Sequence, residues 1–186
     1  MAFPRLIRHF VYPFLRKFAE RKTITNMMDT IPSSSVYSIP LQDIQGRNVT
    51  LSSFKGKKML IVNTASVCGY TPQYAQLEAL HRQYGEKIAV LAFPSNDFGN
   101  QEPGDDLTIK NFCQTNYGVT FPLFSKIHVI GPGRHPLYEW LCNPALNGWN
   151  SKKPDWNFCK YLLDENGKLM HFFNAATDPL DPLITG

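Results

Sequence analysis

The 186-residue sequence has no CxxC pair, no internal repeat, no glycine-rich phosphate loop and no apolar run close to the ~20 residues that cross a bilayer. Each absence removes a class of function. Without CxxC, dithiol exchange of the paired-cysteine kind loses its usual instrument. Four cysteines occur (Cys68, Cys113, Cys142, Cys159), in a chain long and apolar enough to build a core without disulfide staples, so reduced thiols are expected. The five histidines show no metal-ligand spacing with one another or with the cysteines, so no metal is expected. Neither haem nor flavin is indicated.

Positive charge is also scarce, except at one end. Residues 1–29 hold six basic side chains against Glu20 and Asp29, whereas from residue 30 onward thirteen basic residues face thirteen acidic ones. A neutral domain without a basic stripe argues against nucleic-acid binding, where phosphate contacts supply much of the affinity.

The basic end reads as an amphipathic helix. Phe3, Ile7, Phe10, Phe14 and Phe18 recur at helical spacing among arginines and lysines, with a kink expected at Pro13. Contact of residues 3–22 with a membrane surface, docking of the aromatic face on the main domain, and an organellar transit peptide all fit that pattern. The corresponding locations are the cytoplasm, with or without membrane association, or an organelle after transit-peptide removal. Residues 1–35 are thus read as arm and linker, and 36–186 as the domain.

Within 36–186 the patterns alternate between strand and helix. A hairpin is expected around Gln45-Gly46, and Met59–Asn63 and Ile88–Phe93 have the length and apolarity of buried strands. Helices are expected from Tyr74 to Tyr84, after Asp105-Asp106, and from His135 to Cys142. A last hairpin turns at Asp164-Glu165-Asn166-Gly167. The sum is an α/β domain with a mixed central sheet.

Cys68 lies between the first buried strand and the Tyr74 helix. Unpaired N–H groups and the positive end of a helix dipole there favour the thiolate, the reactive form of cysteine. Three residues on stands Thr71, not a second cysteine, which points to one-thiol chemistry such as peroxide reduction through a sulfenic acid. The plain alternative is a packed cysteine at a strand end.

The segment Asn63-Thr64-Ala65-Ser66-Val67-Cys68-Gly69-Tyr70-Thr71 resembles the active-site signature of the glutathione peroxidase family, with cysteine where some members carry selenocysteine. Leu91 to Gly104 resembles the family's second signature, and Trp156-Asn157-Phe158 followed by Lys160 the third. Ser95 and Asp97 depart from the second signature, which often has cysteine and glutamine there. The resemblance implies a thioredoxin-like fold with a mixed central sheet flanked by helices, and a catalytic tetrad of Cys68, Gln101, Trp156 and Asn157. It implies hydroperoxide substrates, no bound cofactor, and thioredoxin or glutathione as external reductant. The short stretch between Leu141 and Trp156 resembles the monomeric or dimeric branch. Thioredoxin-dependent members carry a resolving cysteine on the helix after the second signature, which makes Cys113 a candidate, although the usual position aligns with Gln114. The competing function is a peroxide sensor that relays oxidation to a protein partner.

Overall fold

The computed structural model describes residues 22–28 and 30–186. Its strands are β1 (Thr23–Thr25), β2 (Leu41–Gln42), β3 (Asn48–Val49), β4 (Lys58–Thr64), β5 (Ile88–Pro94), β6 (Lys160–Leu163) and β7 (Leu169–Phe173). Its α-helices are α1 (Gln73–Tyr84), α2 (Asp106–Tyr117), α3 (Pro136–Cys142), α4 (Pro144–Asn147) and α5 (Pro182–Thr185). The main sheet runs β1-β7-β6-β4-β5, with β4 and β5 parallel and the other neighbours antiparallel; β2 and β3 form a separate ribbon.

The two apolar runs become the central strands because both of their faces are covered. Met59 and Ile61 of β4, with Leu91 and Phe93 of β5, meet Leu137, Tyr138 and Leu141 of α3. Leu60, Val62, Val90 and Ala92 meet Tyr74, Leu77 and Leu80 of α1 and Ile109 of α2 on the other side. Each such aliphatic side chain contributes about 1.5–3 kcal/mol on leaving water.

The helix ends follow the expected chemistry. The Asp105 carboxylate caps α2 by accepting the Thr108 N–H at 2.8 Å, and His135 precedes α3 with Pro136 in its first turn. The last hairpin turns through Gly167 at φ +81°, a left-handed conformation that glycine takes without penalty.

One boundary moves. The domain expected to start at Val36 starts earlier, because β1 pairs with β7 and its neighbours dock. Ser33 N–H donates to the Leu146 carbonyl at 3.1 Å, and the Trp140 indole donates to the Ser34 carbonyl at 2.9 Å. The linker is therefore part of the folded surface. The amphipathic helix expected over Phe3–Phe18, with its kink at Pro13, lies outside the described residues.

Candidate active site

The site forms at the carboxyl ends of the parallel pair, where the loops after Thr64 and Pro94 lie side by side, a common position for ligand sites in α/β sheets. Ser95 N–H donates to the Thr64 carbonyl at 3.0 Å, and Val67 N–H donates to the Gln101 carbonyl at 3.0 Å. The two loops are thus stitched together along the segment that leads into Cys68.

Cys68 is half-buried against the α1 side of the core. From it the chain winds into α1 through successive short turns: Thr71 N–H to the Cys68 carbonyl at 3.1 Å, Gln73 to Tyr70 at 2.9 Å, and Tyr74 to Thr71 at 3.0 Å. That winding aims the Tyr70 N–H at the sulfur, 3.4 Å from Sγ. Thr71, in the place of a second cysteine, is a structural pin. Its hydroxyl accepts the Cys68 N–H at 2.9 Å and donates to the Ala65 carbonyl at 2.9 Å.

Gln101 and Asn157 meet directly: Asn157 Nδ2 donates to Gln101 Oε1 at 2.9 Å. Because that bond uses the oxygen of Gln101, its Nε2 protons remain the outward donors of the amide. Gly99 (φ +63°) and Asn100 (φ +51°) are successive left-handed residues, and this tight turn brings Gln101 back against Val67. Trp156 is half-buried, its ring 5.8 Å from that of Phe98, and its carbonyl accepts Asn63 Nδ2 at 2.9 Å. Phe158 is a bulky residue at φ +68°, a strained conformation. Its N–H donates to the Asn63 carbonyl at 2.6 Å, which fixes buried Asn157 at the site. The structure therefore joins Gln101 to Asn157, ties Trp156 in through Asn63, and ties Cys68 in through Val67.

Cys113 is on α2 as expected, fully buried beside Tyr74 and Ile109, whereas Gln114 is exposed. Burial pushes its thiol up to about 11, with the Glu102 charge raising it further and a Tyr74 contact pulling it down. As folded it is a core thiol. Its helix is shallowly rooted, since only Ile109 and Cys113 of its twelve residues are fully buried. Cys142 and Cys159 are buried in the opposite core, Cys159 donating to Asp155 at 3.1 Å. Among the described residues, no cluster of histidine, cysteine and carboxylate could hold a metal.

The departure at Asp97 is structural. Its carboxylate meets His128 Nδ1 at 2.7 Å and accepts the Val129 and Ile130 N–H groups at 2.6 and 3.1 Å. Burial raises this carboxyl, but those bonds outweigh it and hold it below the usual range.

Two signature residues have a burial that the sequence does not reveal. Glu102 sits in a polar stretch and reads as a surface acid, yet it is buried and accepts the Ser66 hydroxyl at 3.1 Å. Lys160 opens β6 fully buried, its Nζ donating to the Phe158 carbonyl at 2.9 Å. The only sequence signal for either is its place within a family signature, which says nothing of its burial or its partner.

The model of the family described as "Glutathione peroxidase" matches residues 36–142. The chain is 45% identical over 155 residues to the hydroperoxy fatty acid reductase gpx1 of Synechocystis, covering 79% of this chain and 90% of that protein. It is 42% identical to the thioredoxin/glutathione peroxidase BtuE of Escherichia coli, with coverage of 81% and 93%. Among solved structures, Trgpx in its apo form superimposes with a TM-score of 0.60 at 37% identity, covering 79% of this chain and 89% of that one. The architecture is thioredoxin-like.

Proposed function

The chain belongs to the glutathione peroxidase family and reduces hydroperoxides at the expense of a thiol; from that premise we propose that Cys68 is its peroxidatic nucleophile. The observation that carries the assignment is the placement of Sγ at the winding start of α1, 3.4 Å from Tyr70 N–H, in a loop bonded to Gln101.

The Cys68 thiolate attacks the distal peroxide oxygen. A sulfur–oxygen bond forms as the oxygen–oxygen bond breaks, and the alkoxide leaves with a proton as alcohol, or as water from hydrogen peroxide. Gln101 Nε2, the Trp156 indole N–H and the Asn157 amide are the donors assigned to thiolate and leaving oxygen. A thiol then attacks the sulfenic sulfur, releasing water and leaving a disulfide that a second thiol reduces. The cycle needs only thiols, from thioredoxin or glutathione.

Cys113 is the internal candidate for the first thiol. Reaching Cys68 requires α2 to unwind, and its small buried face favours that. The name of the Synechocystis relative supports fatty-acid hydroperoxides among the substrates, and the short Leu141–Trp156 stretch supports a monomer or dimer. The basic, phenylalanine-rich arm supports a cytoplasmic enzyme that touches membrane surfaces.

Replacement Cys68→Ser tests the nucleophile: activity with hydrogen peroxide and thioredoxin is expected to vanish while circular dichroism is unchanged. Activity above about a tenth of wild type, a loss of less than one power of ten, would remove Cys68 from that role.

A further inference from the structure

Against the Cys68 loop lies a buried carboxylate to which the steps above give no role. It belongs to Glu102, 1% exposed. The backbone around it is fixed, since Glu102 N–H donates to Asn96 Oδ1 at 2.8 Å and the neighbouring Gln101 carbonyl accepts from Val67. The carboxylate is thereby held still, and Ser66, two residues before Cys68, comes to it with a 3.1 Å bond. Thr71 pins the other side of the same loop. Besides the Val67–Gln101 backbone bond, the Cys68 loop thus has two side-chain anchors, one of them ionisable.

We propose that Glu102 is a positioning residue for peroxide reduction: as a carboxylate it holds Ser66, and through Ser66 it holds the peroxidatic loop in its reactive shape. The inference rests on Cys68 being the reacting sulfur. A neutral amide would accept the same hydroxyl, but a charged acceptor makes a bond roughly twice as strong. The choice of carboxylate therefore makes the anchor sensitive to protons. Burial pushes this carboxyl up to about 7, the Ser66 bond and the Lys126 charge only partly offsetting it, so the anchor changes strength in the neutral range.

The groups facing Glu102 from each side are few. Ser66 approaches from the Cys68 loop; Lys126 bonds through Nζ to the Glu102 and Gly104 carbonyls. Tyr74 of α1 and Cys113 of α2 both feel the Glu102 charge, and burial keeps both protonated at neutral pH. Among these groups, Glu102 itself is the one that titrates near pH 7.

The test is the rate of Cys68 oxidation by hydrogen peroxide, read by rapid-quench mass spectrometry between about pH 5 and about pH 9. Glu102→Gln fixes the acceptor in its neutral form. It is expected to be about tenfold slower than wild type above pH ~7, a ratio within the range of one charge-assisted bond, and equal to wild type at the acid end. Ser66→Ala is expected to be equally slow, and the double variant no slower than either single one, because both changes cut the same link. Circular dichroism checks that each variant is folded. A Glu102→Gln rate within about twofold of wild type throughout, a slowing by one factor at every pH, or multiplicative losses in the double variant would each overturn the assignment. Wild-type protein whose Cys68 does not oxidise would overturn the peroxidatic role and this inference together.

Discussion

Replacing Glu102 by glutamine is expected to stabilise the protein at neutral pH, and the size of the effect follows from its burial. The folded carboxyl titrates at about 7 against the ordinary value of 4.5. Because the folded value is raised, the folded state binds more protons than the unfolded one across that window. The stabilisation is fully present below about pH 4.5 and is lost as pH rises through 7. Each unit corresponds to about 1.4 kcal/mol, so between pH 5 and pH 8 this one group removes roughly 2–3 kcal/mol. That is a large share of the ~5–15 kcal/mol that holds an ordinary domain together. His135 and His171, lowered by burial, push the other way in part of the same range, so the comparison must be a difference. Urea unfolding of wild type and Glu102→Gln at pH 5 and pH 8 isolates Glu102. The variant should gain on wild type by roughly 2–3 kcal/mol at the higher pH. An equal change in both proteins would refute the reasoning, because it would mean that the carboxylate is not desolvated in the folded state.

Gln101→Ala and Trp156→Ala are each expected to slow Cys68 oxidation and move its alkylation profile to higher pH by up to about a unit, as loss of a donor to the thiolate requires. Unchanged profiles in both would mean that their donors do not act on the sulfur. Protein treated with one equivalent of hydroperoxide in the absence of thiol is expected to yield a Cys68–Cys113 linked peptide by mass spectrometry, with thioredoxin-dependent turnover lost in Cys113→Ser. A persistent Cys68 sulfenic acid beside an alkylatable Cys113 would assign resolution to an external thiol. A variant beginning at Lys22 keeps β1 intact and is expected to retain activity on soluble peroxides while sedimenting less with anionic vesicles. Equal sedimentation would remove the arm from membrane contact.

The central strands, the cap of α2 and the closing hairpin were legible because each rests on a local device: an apolar run, an aspartate before a helix, an Asn-Gly turn. Strand β1 was not. Thr23-Ile24-Thr25 is exposed and carries no pattern, and its place comes from backbone pairing with the free edge of β7, which leaves no trace in side-chain type. The signature residues were legible as a set, but not how they are held. Nothing in Asn157-Phe158 announces a phenylalanine at φ +68°, because that strain is imposed by the bond to Asn63, 95 positions earlier. Glu102 was missed for a similar reason. Flanked by Gln101, Pro103 and Gly104, it reads as solvent-facing until the Val67–Gln101 bond draws that segment under the loop.

The β1–β7 register also fixes where the basic arm departs. Thr23 lies opposite Phe173, at the end of β7 that lies level with the carboxyl end of β4. Lys22 and Asn174 close that corner by bonding through the Lys22 carbonyl at 3.0 Å. The root of the arm is therefore three strand spacings, about 15 Å, from the end of the strand that leads into the Cys68 loop. An arm seated in a lipid surface from that corner would work as a short leash. It would hold the enzyme at the bilayer and reduce the search for an oxidised acyl chain from three dimensions to two.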